Sequence, residues 1–192
     1  MTSRRDFFRL AGVTTAGGAV FLAACGDDDA GEGGGASPQE RDVRILNSAL
    51  DLENTAIAAY TAGAPLLRGP ALEVGRQFLV HEKEHAAALA QAIRDLGGTP
   101  NRPRRAEEYR RQLPNLRSQR DVLRFAVDLE NAAVEAYIDS IPRLSSPDLR
   151  QTAAAIVSNE AEHISVLLGA LNPGDPAAQV PQAFVTGIAS VS

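Results

Sequence analysis

The sequence predicts an all-α protein, a four-helix bundle built from two antiparallel helix hairpins joined by a long crossover. Three observations predict it. From Ser37 to about Leu171 the chain is rich in Ala, Leu, Glu and Arg, with apolar residues at helical spacing and few β-branched runs. Start and stop signals divide this stretch into four helices separated by two short links and one long one. The two halves of the stretch also repeat each other in sequence.

Residues 1–24 precede the bundle and read as an address. Ser3-Arg4-Arg5-Asp6-Phe7-Phe8 is followed by an apolar, uncharged run from Leu10 to Ala24, the pattern of a twin-arginine signal peptide. The run is short for a membrane span and rich in Gly and Ala, which favours a cleaved signal over a permanent anchor. An ordinary secretory signal with two adjacent arginines is the competing reading. Leu22-Ala23-Ala24-Cys25 resembles the lipobox of bacterial lipoproteins, where the cysteine is lipidated and becomes the new N-terminus; a small residue near a cleavage site is the alternative. Residues 25–37 then form a Gly- and Asp-rich flexible tether. These features place the protein outside the cytoplasm, at the outer face of the cytoplasmic membrane or in the cell envelope, held by a lipid anchor.

Cys25 is the sole cysteine, so no intramolecular disulfide forms and any metal site must use oxygen and nitrogen ligands. Removing residues 1–24 takes away Arg4, Arg5, Arg9 and Asp6 and moves the formal charge from −5 to −7. A modestly acidic globule gives no reason to expect nucleic-acid binding. Arg102, Arg104, Arg105, Arg110 and Arg111 cluster, but Glu107 and Glu108 interrupt them, as on a solvated loop face.

The first helix opens at Ser37-Pro38-Gln39-Glu40, a capping box with proline at the first helical position, and ends near Gly63 and Pro65. The second runs from about Pro70 to Leu96 and stops at Gly97-Gly98. The third starts at Ser118 and ends before Pro142; the fourth starts at Ser146-Pro147 and ends before Pro173. Short turns make each flanking pair a hairpin. The link from Gly97 to Arg117 is long enough to run back along a helix of about 40 Å, and residues 104–113 suit a short helix within it. The bundle thus occupies residues 38–171, followed by a C-terminal tail, 172–192, with Phe184, Val185, Ile188 and Val191 available to pack on the bundle or meet a partner.

DLENTAIAAY at 51–60 aligns with DLENAAVEAY at 128–137, seven of ten positions being identical, and HEKEH at 81–85 aligns with NEAEH at 159–163. The offsets, 77 and 78, hold the register across both helices of each half. Within this repeat, charged residues fall on the apolar faces. Glu53 lies on the stripe of Ala49, Ala56 and Tyr60, and Glu130 on that of Leu123, Ala126, Ala133, Tyr137 and Ile141. Glu82 and His85 lie among Phe78, Leu89 and Leu96; Glu160 and His163 lie among Leu149, Ile156 and Leu167. Four carboxylates converging on one core repel one another unless something cancels their charge of −4. Two divalent cations do so, and the histidines, three residues after a glutamate, complete a ligand set.

One Glu from each of two helices and Glu-x-x-His from each of the other two is the ligand pattern of the ferritin-like superfamily. The chain resembles that superfamily over roughly residues 38–171, with all six ligand positions matched. The resemblance implies a ferritin-like four-helix bundle with two metal ions, iron or iron with manganese. Glu82 and Glu160 would bridge them, Glu53 and Glu130 would each bind one, and His85 and His163 would each supply a nitrogen. It also implies open positions for dioxygen, peroxide or water, hence oxidation, peroxide removal or ferrous-iron oxidation by a di-iron oxidoreductase or ferroxidase. Dioxygen, peroxide and ferrous iron are the candidate reaction partners, and a homodimer is a candidate assembly. Tyr60 and Tyr137, two turns beyond Glu53 and Glu130, are hydrogen-bond donors to the ligands, redox-active groups of the catalytic site, or core aromatics closing the bundle.

Two competing functions remain at this point. His81-Glu82-x-x-His85 fits the zinc metallopeptidase motif, but Asn159 replaces the first histidine in the repeat, so Glu-x-x-His accounts for both copies and the peptidase motif for one. A non-catalytic surface bundle with structural metal, or none, is the other.

Overall fold

The computed structural model describes residues 36–187. The signal peptide, Cys25, nearly all of the tether, and Ile188 and Val191 of the tail lie outside them. Four long helices, α1 (Pro38–Gly63), α2 (Gly69–Asp95), α4 (Gln119–Ser140) and α5 (Pro147–Leu171), are accompanied by the short α3 (Ala106–Gln112) in the crossover. Among the described residues there is no strand, and no helix is long and apolar enough to cross a membrane.

Local chemistry sets each boundary. The Ser37–Glu40 capping box forms in both directions at the start of α1, Ser118 caps α4 through the Asp121 amide, and Ser146 caps α5 through the amides of Asp148 and Leu149. Helix α2 ends at Asp95, and Gly97 beyond it takes φ +74°, a left-handed conformation in which glycine carries no Cβ strain. Both hairpin turns are short 3₁₀ segments, Ala64–Leu66 and Ile141–Arg143. Each is followed by a buried leucine, Leu67 and Leu144, which are 77 residues apart and therefore repeat equivalents.

Within each hairpin α1 packs along α2 and α4 along α5; the hairpins meet through α1 against α4 and α2 against α5. Gln39, at the start of α1, donates to the carbonyl of Leu96 just past the end of α2, which fixes the antiparallel sense. The crossover is tied down by α1: Asn47 donates to the Thr99 carbonyl and accepts from the Asn101 amide, while Asp51 accepts from the Asn101 side chain. Helix α3 rests on α1, with Tyr109 buried. The arginines of this region are interleaved with acids as read, Arg105 pairing with Glu108 and Arg110 with Glu107, and Arg104 lies over the Tyr109 ring.

The core holds two large apolar clusters at opposite ends and a small third one, Ala56, Ala59 and Leu129, where α1 meets α4. One large cluster holds Tyr60, Phe78, Leu123, Val127, Ile164 and Leu168; the other holds Leu46, Leu50, Leu89, Ile93, Tyr137 and Ile156. The tail, as far as Gly187, packs on the bundle. Gln179 lies against Gly169, and Gly187 approaches α4 so closely that a Cβ would stand 2.5 Å from the Asn131 carbonyl oxygen. At φ +80° this position suits glycine in conformation as well as in space. Phe184, the largest apolar residue of the tail, is exposed.

One buried carboxylate has its partner inside the chain. Asp42 accepts from both the backbone amide and the hydroxyl of Ser145, joining the start of α1 to the α4–α5 turn. Removing this buried acceptor breaks the hydrogen bonds from both Ser145 donors, so Asp42→Ala is expected to lower unfolding stability in urea by about 1–3 kcal/mol. A loss below about 0.5 kcal/mol, the range of ordinary surface substitutions, would contradict this role.

Candidate metal centre

Between the two large apolar clusters lies a polar layer to which all four long helices contribute. Glu53 comes from α1, Glu82 and His85 from α2, Glu130 from α4, and Glu160 and His163 from α5. The four glutamates and His163 are at most 1% exposed. Their placement follows from helical geometry. A Glu on the apolar stripe midway along each helix arrives at one depth in the bundle, and a His one turn later on α2 and α5 projects into the same layer.

All six sequence-predicted ligands come together, in two overlapping groups. Glu53, Glu82, His85 and Glu160 place one ligand atom each within 4.8 Å of the others, and so do Glu82, Glu130, Glu160 and His163. Glu82 and Glu160 belong to both groups. His85 Nδ1 lies 3.0 Å from Glu160, 3.7 Å from Glu53 and 3.9 Å from Glu82. His163 Nδ1 lies 3.3–3.4 Å from Glu160, Glu82 and Glu130. His81 enters neither group; its Nδ1 faces His163 Nε2 at 3.0 Å, outside the ring of carboxylates. A peptidase zinc held by His81 and His85 finds no support in that arrangement.

The tyrosines cross between the halves. Tyr60 of α1 donates to Glu130 of α4, and Tyr137 of α4 donates to Glu53 of α1. They are at once hydrogen-bond donors to the candidate ligands and core aromatics. Burial, reinforced by the charge of the carboxylate each one faces, raises both phenols well above their ordinary range and keeps them protonated as donors.

The acid groups divide sharply. Burial pushes Glu82 up to about 11, with the charges of Glu130, Glu160 and Glu53 adding to it. Burial and the adjacent Glu160 push Glu130 up to about 8. Burial also opposes ionisation of Glu160, but the imidazoles of His163 and His85 beside it outweigh that and hold the carboxylate at about 2. For the histidines burial disfavours charge, yet the surrounding carboxylates prevail, raising His85 to about 9 and His163 to about 11. Without cations, protons do the work of balancing charge.

The donor set suits metal ions. Glu82 Oε1, both oxygens of Glu160, and Nδ1 of His85 and of His163 are buried without a well-formed hydrogen bond. Orphaned donors and acceptors of this kind carry a desolvation cost of about 1–3 kcal/mol each, which ligation removes. Oxygen with imidazole nitrogen, and no thiolate, suits iron, manganese or zinc.

Protonation gives a testable pH dependence. Glu82, Glu130, His85 and His163 bind their protons more tightly folded than unfolded. Each therefore stabilises the metal-free fold most fully below its ordinary value of 4.5 or 6.5, and loses that contribution as pH rises through the folded value. Glu160 runs the other way and matters only as pH falls from 4.5 toward about 2. In chelator-treated protein the melting temperature should fall between about pH 6 and about pH 9; with a divalent cation present the fall should vanish or reverse, because the ion displaces those protons. Calorimetry with and without cobalt(II) checks this, and identical profiles would mean that no cation reaches these groups.

Comparison with known proteins gives the family. The model of the ferritin-like domain family matches residues 41–173. Among solved structures, a conserved hypothetical protein from Mycobacterium tuberculosis superposes with a TM-score of 0.64 at 20% identity, covering 72% of this chain and 96% of that one. A ferritin-like, diiron-carboxylate protein from Bacillus anthracis superposes with a TM-score of 0.58 at 23% identity, covering 72% of this chain and all of the other. No curated protein matches the sequence at a significant level. With the family model spanning α1 through α5, the chain belongs to the ferritin-like domain family.

Proposed function

We propose that this chain is an exported ferritin-like protein that holds a dinuclear centre of iron, or iron with manganese, and uses it for dioxygen, peroxide or ferrous-iron redox chemistry at the outer face of the cytoplasmic membrane. One observation carries the reading: four buried glutamates and two histidines converge with unsatisfied ligand atoms facing one another. The printed description of the Bacillus anthracis neighbour as a diiron-carboxylate protein supports it. The twin-arginine pattern and the lipobox support the location, since the twin-arginine route carries folded proteins and would deliver a bundle with its metals in place.

In this reading Glu82 and Glu160, common to both groups, would serve both ions, with Glu53 and His85 available to one and Glu130 and His163 to the other. Bound iron or manganese supplies one-electron redox chemistry and sites for oxygen or peroxide. The chain supplies the rest. Tyr60 and Tyr137 orient Glu130 and Glu53 through their hydroxyl protons. The apolar clusters above and below exclude water along the bundle axis and strengthen every charge interaction in the layer.

Metal analysis of the full chain purified from its native host tests the reading. About two metals per chain are expected, with Glu82→Ala or Glu160→Ala removing both because each serves both positions. Fewer than one metal per chain, unaffected by either substitution, would overturn it. Stopped-flow absorbance of the ferrous protein mixed with oxygen or peroxide then separates a catalyst from a passive metal-binding bundle, the catalyst turning over repeatedly while the passive bundle stays unchanged.

A further inference from the structure

The repeat makes His85 and His163 equivalent in sequence, yet their surroundings differ. Phe78 stacks on the His163 ring at a centroid distance of 3.8 Å and an interplanar angle of 22°, and His81 sets its Nδ1 3.0 Å from His163 Nε2. Both come from α2. In the repeat, positions 78 and 81 correspond to Ile156 and Asn159. Ile156 is buried in the apolar cluster at the other end of the bundle, and Asn159 turns outward to Glu162 at 3.1 Å. His163 is thus gripped on its face and at its outer nitrogen by residues that His85 does not receive from α5. The side chain of His85 is 12% exposed, that of His163 1%.

The hydrogen bond has a direction. Nδ1 of His163 faces Glu82, Glu130 and Glu160, so this is the nitrogen that offers a lone pair to a cation. Its proton then resides on Nε2 and is donated to Nδ1 of His81, which in turn carries its own proton on Nε2. A ligand imidazole whose outer N–H is held this way is fixed in tautomer and ring orientation, and loss of such a partner typically weakens metal binding about 10–100-fold.

Resting on the dinuclear reading, we propose that His81 is a positioning residue that fixes His163, so that the Glu130–His163 position binds metal tightly and the Glu53–His85 position binds it weakly. Titration of the metal-free full chain with cobalt(II) under anaerobic conditions, followed by visible absorption and calorimetry, tests this. Two resolved steps are expected for the native chain. His81→Ala should weaken the tight step about 10–100-fold and shift its absorption band while leaving the weak step in place. His81→Asn should recover part of the loss, because its Oδ1 can stand where Nδ1 stood and accept from the same N–H. His85→Ala should abolish the weak step alone. Melting of each metal-free variant confirms that the bundle is folded. Two equal steps in the native chain, or a His81→Ala titration and spectrum unchanged from native, would overturn the role of His81 while leaving the dinuclear reading standing. A native chain that binds no cobalt would overturn both.

Discussion

The structure depends on burying four carboxylates at one level of an apolar bundle. Each long helix must give up a core position to an acid, and the resulting layer lies between the two large apolar clusters. Asp42 shows how a buried carboxylate is ordinarily accommodated, by donors from a neighbouring turn. The four glutamates lack such donors in sufficient number. Two phenols reach Glu53 and Glu130, but the oxygens of Glu160 and one of Glu82 face other ligands instead. A fold that leaves these atoms facing one another is arranged for a positive charge between them.

Duplication solves the placement problem economically. Each hairpin contributes a Glu from its first helix and Glu-x-x-His from its second, and each tyrosine follows its own Glu by two turns. The tyrosine does not serve that Glu; it crosses to the opposite half, Tyr60 to Glu130 and Tyr137 to Glu53. Because α1 and α4 run antiparallel across the site, seven residues along one helix bring the hydroxyl level with the carboxylate of the other. The crossing bonds therefore report the alignment of the two hairpins, and they join the polar layer to both large apolar clusters, since Tyr60 sits in one and Tyr137 in the other.

Much of this was legible in the sequence because local rules govern it. The Ser-Pro and Ser-x-x-Glu starts, the Gly97 stop and the 77–78 residue offset need no tertiary information, and the six ligands stood out as charges on apolar faces in matching register. What was not legible depends on rotation and approach between helices. Asp42 looks like any acid near a helix start until its partner, 103 residues away, is known. His81 is one turn before His85 and suggested a zinc ligand, whereas the packing of α2 on α5 directs it to the back of His163. Ala133 and Ile141 were placed on the core stripe of α4 and are only half-buried, while Val127 and Val134 fill the core instead, a shift of one position that 3.6-residue periodicity does not resolve. The tail was undecided between bundle and partner because its contact with Asn131 rests on the absence of a side chain at Gly187.

The covalent joining of the two hairpins has a consequence beyond their alignment. In an assembly of two identical hairpins, every substitution appears twice, and a residue behind one histidine is necessarily behind the other. A single chain carrying both copies escapes that restriction. It can keep the inner ring symmetric, because both groups of candidate ligands draw on it, and differ in the residues outside it, where Phe78 and His81 of the first copy face Ile156 and Asn159 of the second. The crossover held to α1 by Asn47 and Asp51 is thus more than a connector: it frees the two halves to specialise.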